Sequence, residues 1–170
     1  MIISHISGSN IISTSEEAIS LAEKSSFGEF RAGKVEYSGV EAIYLLEKRK
    51  AEVYNNKKSL KIQELIKKIK KQDKKIETKL VVYRDMRDKG YILKTALKFG
   101  AEFRVYERGS KPGQSHARWV LYTAKEHDSM NWHEFAAKNR VAHSVKKALL
   151  LAIVDDEGDV SYYNCSWIKA

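Results

Sequence analysis

A single cysteine and a single proline stand in 170 residues, and each scarcity narrows what the chain can be. Cys165 alone forms no intrachain disulfide and builds no cysteine-based metal cage. No apolar run approaches the roughly 20 residues that span a bilayer. The opening MIISHISGSN has neither a basic start nor a long apolar core, so no signal peptide is expected. A cytoplasmic protein with no membrane partner is the expectation. Also missing are a GxxxxGK phosphate loop and a helical His-x-x-x-His zinc pair. So is a Pro-Asp followed by Glu-x-Lys on consecutive strands, the usual core of a metal-dependent nuclease. No metal and no cofactor is therefore expected. The acidic run DDEGD reads as a solvated turn, or as a charged plug for a partner's basic pocket, before it reads as a cation site.

What the chain has in excess is positive charge. Lysine and arginine number 31 against 22 acidic residues, a net charge of +9. Such an excess points to a polyanion, nucleic acid first. The competing reading is a lysine-rich surface knitted into ion-pair networks.

Two halves are legible, residues 1–75 and 76–170. In the first, MIISHIS and NIIS read as strands about a GSN turn. Thr14 or Ser15 caps a short helix, and KVEY is a strand. Ser38 caps a helix with apolar residues at helical spacing, and AEVYN is a strand. Ser59 is expected to cap a further helix, whose Ile62, Leu65, Ile66 and Ile69 share one face while lysines take the other. That basic face reads first as solvated surface and second as an RNA-binding tract. A helix from about Ile76 to Asp88 stops at Gly90.

The second half continues with strand YILK, a single turn TALKFG, and strands AEFRVY and HARWVLYTA. A helix DSMNWHEFAAKNRV capped by Asp128 or Ser129 follows, then a buried strand KKALLLAIVD and an edge-like strand over DVSYYNCSWIKA. The fold class is α/β (α+β): a small N-terminal α+β domain, then a mixed sheet with helices against it.

The only proline lies in a loop, GSKPGQS, between two residues that can move protons. Tyr106 ends the strand before the loop and His116 closes it. A lysine-rich segment, HSVKKALLL, starts a later strand. Tyrosine, histidine and lysine together suit phosphodiester cleavage by an internal 2′-OH. That reaction needs a base for the 2′-OH, an acid for the leaving 5′-oxygen, and a cation for the crowded equatorial oxygens. It needs no metal. A cation beside a phenol also favours its ionised form. Each residue has a plainer reading, as strand-end packing, an ordinary loop histidine or a surface lysine. His143, beside the lysine pair, competes with His116.

Two long blocks, RDKGYILKTALKFGAEFRVYERG and RVAHSVKKALLLAIVDDEGDVSYYN, resemble the archaeal tRNA-splicing endonucleases in the same order. The resemblance covers about residues 80–170, with weaker agreement of layout before that. By position it implies that Tyr106 is the base, His116 the acid and Lys147 the charge stabiliser. Lys146 takes a place that is often arginine in the family. The arginine that stacks on a bulge base falls on Arg140, and Trp167 is the candidate second stacking partner. The acidic loop that inserts into a neighbouring subunit falls on Asp155, Asp156, Glu157 and Asp159. The GSKPGQS loop has its own sequence, and nothing transfers inside it.

The resemblance also implies a C-terminal domain of the α/β fold shared with restriction endonucleases, without their metal site. It implies a dimer of dimers that cuts bulge-helix-bulge motifs in precursor tRNA. The products would be 2′,3′-cyclic phosphate and 5′-hydroxyl ends. Three rivals stand beside it: the catalytic subunit of a hetero-tetramer that needs a structural subunit, a non-catalytic basic RNA-binding protein, and a metal-dependent DNA nuclease.

Overall fold

Two mixed sheets, one in each half of the chain, organise the computed structural model, which describes residues 1–169. The chain divides into two compact units, the first ending at Leu80 and the second beginning at Val81. No described helix is long and apolar enough to cross a membrane.

The first unit holds β1 (Ile2–Ser7), β2 (Asn10–Ser13), α1 (Glu16–Ser25), β3 (Glu29–Arg31), β4 (Lys34–Tyr37), α2 (Gly39–Glu47), β5 (Ala51–Asn55), β6 (Lys58–Ser59) and α3 (Ile62–Lys70). Its sheet runs β3-β4-β2-β1-β5-β6, with β1 and β5 parallel. Ser38 caps α2 as expected, and of the two candidates for α1 it is Ser15 that caps. At α2 the cap is reciprocal, because Glu41 returns to accept from the Ser38 amide at 2.9 Å. Ser59 does not cap α3. It is held in the β5–β6 hairpin opposite Tyr54, and the Leu60 amide continues that ladder to the Val53 carbonyl. The helix starts after Lys61, whose amide donates to Glu64.

α4 (Ile76–Asp88) crosses the division between the units. The second unit continues with β7 (Ile92–Ala96), a 3-10 turn (Leu97–Phe99), β8 (Ala101–Tyr106), β9 (Trp119–Lys125), α5 (Trp132–Ser144), β10 (Ala148–Val154) and β11 (Val160–Cys165). The strand order is β11-β10-β9-β8-β7. β9 and β10 are parallel, and α5 makes the crossover between them. Against α5 the core is Ala96, Ala101, Val120, Tyr122, Ala142 and Leu149. Phe103, on the same strand as the buried Val105, meets the Tyr83 ring of α4 at 5.9 Å.

Two boundaries differ from expectation. α5 is capped by Asn131, whose side chain accepts from Glu134 N while Glu134 accepts from Asn131 N. Asp128 is occupied elsewhere, accepting from the Lys125 amide at 2.8 Å. β9 begins at Trp119, so His116 lies before the strand and within the loop.

Candidate active site

The topology brings three distant stretches to one end of the second sheet. β8 and β9 are antiparallel while β9 and β10 are parallel. The end of β8 is therefore the start of both β9 and β10. Register makes this specific, since Val105, Trp119 and Ala148 form one rung across the three strands. Tyr106 lies one residue beyond that rung and Lys147 one residue before it. Between them the Arg118 amide donates to the Val105 carbonyl at 2.9 Å, and the Ala148 amide to the Arg118 carbonyl at 3.0 Å.

Tyr106, His116 and Lys147 line one cleft of about 330 Å³, together with Phe99, Arg104 and loop residues 113–115. Tyr106 is buried at 5% exposure, Lys147 is half-buried and His116 is exposed. The cleft thus holds a phenol, an imidazole and an ammonium on an open face. His143, the competing histidine, lies elsewhere, stacked edge-on against Trp167.

The loop that returns His116 is built from its own backbone. The Lys111 carbonyl accepts from the Gln114 and Ser115 amides and from Ser115 Oγ. Gly109 and Gly113 take positive φ angles of 83° and 85°, where a side chain would be strained. At its neck, Glu107 pairs with Arg118, residues adjacent to Tyr106 and two after His116. Sequence reading passed over this pair and over Arg104. The period-2 alternation of β8, which puts residues 104 and 106 on one sheet face, is the signal that finds Arg104.

Lys147 is placed by the end of α5. The Lys146 amide donates to the His143 carbonyl and the Lys147 amide to the Ala142 carbonyl, both at 2.9 Å. This is the paired closure of a Schellman motif. It puts Lys146 in the left-handed region at φ 56°, a position glycine usually fills. Lys147 then leaves the helix at the mouth of the cleft, its Nζ donating to the Val145 carbonyl at 3.2 Å.

Arg140 is exposed on α5, and Trp167 is 56% exposed. Neither lines the cleft. They belong to a surface that includes His143, one helical turn after Arg140.

The acidic loop is more ordered than its composition suggests. Asp155 accepts through Oδ1 from the Glu157 and Asp159 amides at 3.0 and 2.8 Å, so its carboxylate folds the turn. Asp156 is bonded to His127 Nε2 at 2.9 Å, and its amide donates to Glu126. That bond and the surrounding carboxylates push the His127 imidazole above its ordinary range. Glu126, His127 and Asp156 place three potential ligand atoms within 4.8 Å of one another, all on exposed side chains.

Comparison with known proteins covers both units. The pattern described as "tRNA intron endonuclease, catalytic C-terminal domain" matches residues 76–162, and that described as "tRNA intron endonuclease, N-terminal domain" matches residues 2–66. A tRNA-splicing endonuclease of Thermococcus kodakarensis is 39% identical over 170 residues, 99% of each chain. One of Pyrococcus horikoshii is 40% identical over 166 residues, covering 97% of this chain and 95% of its own. One of Nanoarchaeum equitans is 43% identical over 136 residues, 76% of this chain and 87% of its own.

Proposed function

The chain belongs to the tRNA intron endonuclease family, and on that premise we propose that its Tyr106–His116–Lys147 cleft cuts precursor tRNA at bulged intron boundaries without a metal. The observation that carries this is the gathering of a phenol, an imidazole and an ammonium in one cleft from three separate stretches. Tyr106 takes the proton of the 2′-OH. The 2′-oxygen attacks phosphorus, forming the 2′-O–P bond as the P–O5′ bond breaks. His116 gives its proton to the departing O5′. Lys147 offsets the charge that builds on the non-bridging oxygens. The products are a 2′,3′-cyclic phosphate and a 5′-hydroxyl.

RNA helices hide their major groove and offer bulged bases to stacking side chains. Arg140 and Trp167 are exposed, as such stacking requires. The substrate is then chosen by shape and unpaired bases rather than by long sequence.

Assembly into a dimer of dimers is part of the same reading. It is supported by β11, which lies at the edge of its sheet and exposes Tyr163, and by the exposed Glu157 and Asp159 of the acidic turn. A negative turn on a strongly basic protein is suited to docking into a basic pocket of another copy.

The test is single-turnover cleavage of a bulge-helix-bulge RNA by Tyr106→Phe, His116→Ala and Lys147→Ala. Each is expected to lose about 10²–10⁴-fold while still binding the RNA. Parent-like cleavage by any one of them removes that residue from the mechanism.

A further inference from the structure

We propose that Arg104 is a fourth reactive-site residue, whose guanidinium holds a non-bridging oxygen of the scissile phosphodiester beside Lys147. The inference rests on the cleft being the RNA-cleaving site.

Placement comes first. Arg104 precedes Tyr106 by two residues on β8, so both side chains leave the same face of the sheet. Arg104 lies in register with Val120 of β9, and Val120 with Leu149 of β10. It is therefore one strand repeat deeper than the level of Tyr106 and Lys147. It lines the same cleft as both of them and His116.

Its bonding state comes second. Arg104 Nε is shut off from solvent and has no hydrogen-bond partner. A buried donor without a partner calls for an explanation, and a side chain held ready to shift its guanidinium onto a bound ligand is one. The surroundings make that ligand an anion. Across the β7–β8 ladder Arg104 faces Lys94, which is buried. A phosphate oxygen between Arg104 and Lys147 would meet two cations that line the same cleft.

The chemistry comes third. A guanidinium presents a flat fork of donors with fixed direction, whereas an ammonium acts as a point charge. Arg104 would fix the orientation of the phosphoryl group while Lys147 adds charge. In-line attack by the 2′-oxygen depends on that orientation.

The experiment compares the parent with Arg104→Gln and Arg104→Lys. It measures single-turnover cleavage of bulge-helix-bulge RNA at saturation, binding of the same RNA with 2′-deoxy residues at both cut sites, and thermal unfolding. Arg104→Gln is expected to cleave about 10²–10³-fold more slowly, the usual loss for one transition-state donor. Arg104→Lys keeps the charge and fills most of the volume, and is expected to lose about tenfold or more because the fork is gone. RNA with a single Rp or Sp phosphorothioate at the cut site separates contact from packing. A direct contact to one oxygen changes the Rp/Sp rate ratio between parent and variant, whereas a packing role slows both alike. Variants that cleave like the parent, or that slow both diastereomers equally, overturn the proposal for Arg104 and leave the function standing. A parent that binds but does not cleave overturns both.

Discussion

The rings of His143 and Trp167 meet edge-on, with centroids 4.2 Å apart and planes at 76°. His143 follows Arg140 by three residues on α5, so the contact docks the C-terminal tryptophan on the helix that carries the arginine. If Arg140 and Trp167 grip bulged bases, His143 sets the position of one of them. Removing the His143 ring should weaken RNA binding even though His143 lies outside the cleft. Trp167→Ala and Arg140→Ala should each cost about 1–3 kcal/mol of binding, the usual value of a base-stacking side chain. His143→Ala should cost less, and the double variant His143→Ala/Trp167→Ala should be no worse than Trp167→Ala alone. Full additivity in binding titrations would show that the two rings act separately.

The Glu107–Arg118 pair clasps the neck of the loop that carries His116. An exposed ion pair is worth about 0–1 kcal/mol of stability, so Glu107→Gln should barely move the unfolding midpoint. Its effect should fall on catalysis, because a small misplacement of a proton donor is costly. A drop of about tenfold in single-turnover rate with unchanged RNA affinity is expected. An unchanged rate would mean that the loop holds His116 through its backbone bonds alone.

Lys146 adopts a left-handed backbone immediately before Lys147. For a residue with a Cβ this costs about 1–2 kcal/mol, while glycine gives back about 0.5–1 kcal/mol through its greater freedom when unfolded. Lys146→Gly should therefore stabilise the protein by about 0.5–1 kcal/mol in denaturant unfolding. Lys146→Ala should bring no such gain. If both variants destabilise equally, the Lys146 side chain contributes more than its backbone costs.

His127 should titrate above its ordinary 6.5, because Asp156 hydrogen-bonds to it and nearby carboxylates favour its charged form. A raised pKa in the folded state means that protonation favours the ordered acidic turn. That contribution is complete below 6.5 and is lost as pH rises through the raised value. Proton NMR of the imidazole should show this, and Asp156→Asn should bring the midpoint back toward 6.5. An unchanged midpoint in Asp156→Asn would mean the bond does not persist in solution.

Much of this arrangement was legible before any coordinates, and the gaps have physical causes. Ser38 announced its helix because a hydroxyl three residues before a glutamate is a local signal, and a hydroxyl at 14 or 15, where Ser15 accepts from the Ala18 amide, marked the start of α1. Asn131 carried the same signal, with Glu134 three residues on, but Asp128 and Ser129 lie nearer the turn and drew the boundary forward. β3 escaped notice because its hairpin turns through Ala32 and Gly33, both at positive φ. Alanine is a poor advertisement for such a turn. Tyr106, His116 and Lys147 were named from loop chemistry and family resemblance. Their meeting depends on strand register, which is fixed by pairing across the sheet and not by neighbours in sequence. The Glu107–Arg118 clasp was missed for that reason, since its meaning lies across the sheet, whereas Arg104 shares a face with Tyr106 through the period-2 alternation of β8.

The most direct test is cleavage of a bulge-helix-bulge RNA by the purified chain alone in excess EDTA, with both new ends identified. Cuts at the two bulges leaving 2′,3′-cyclic phosphate and 5′-hydroxyl ends are the expected result. Activity that vanishes with EDTA and returns with a divalent cation, leaving 5′-phosphate ends, would contradict a reaction run by Tyr106, His116 and Lys147.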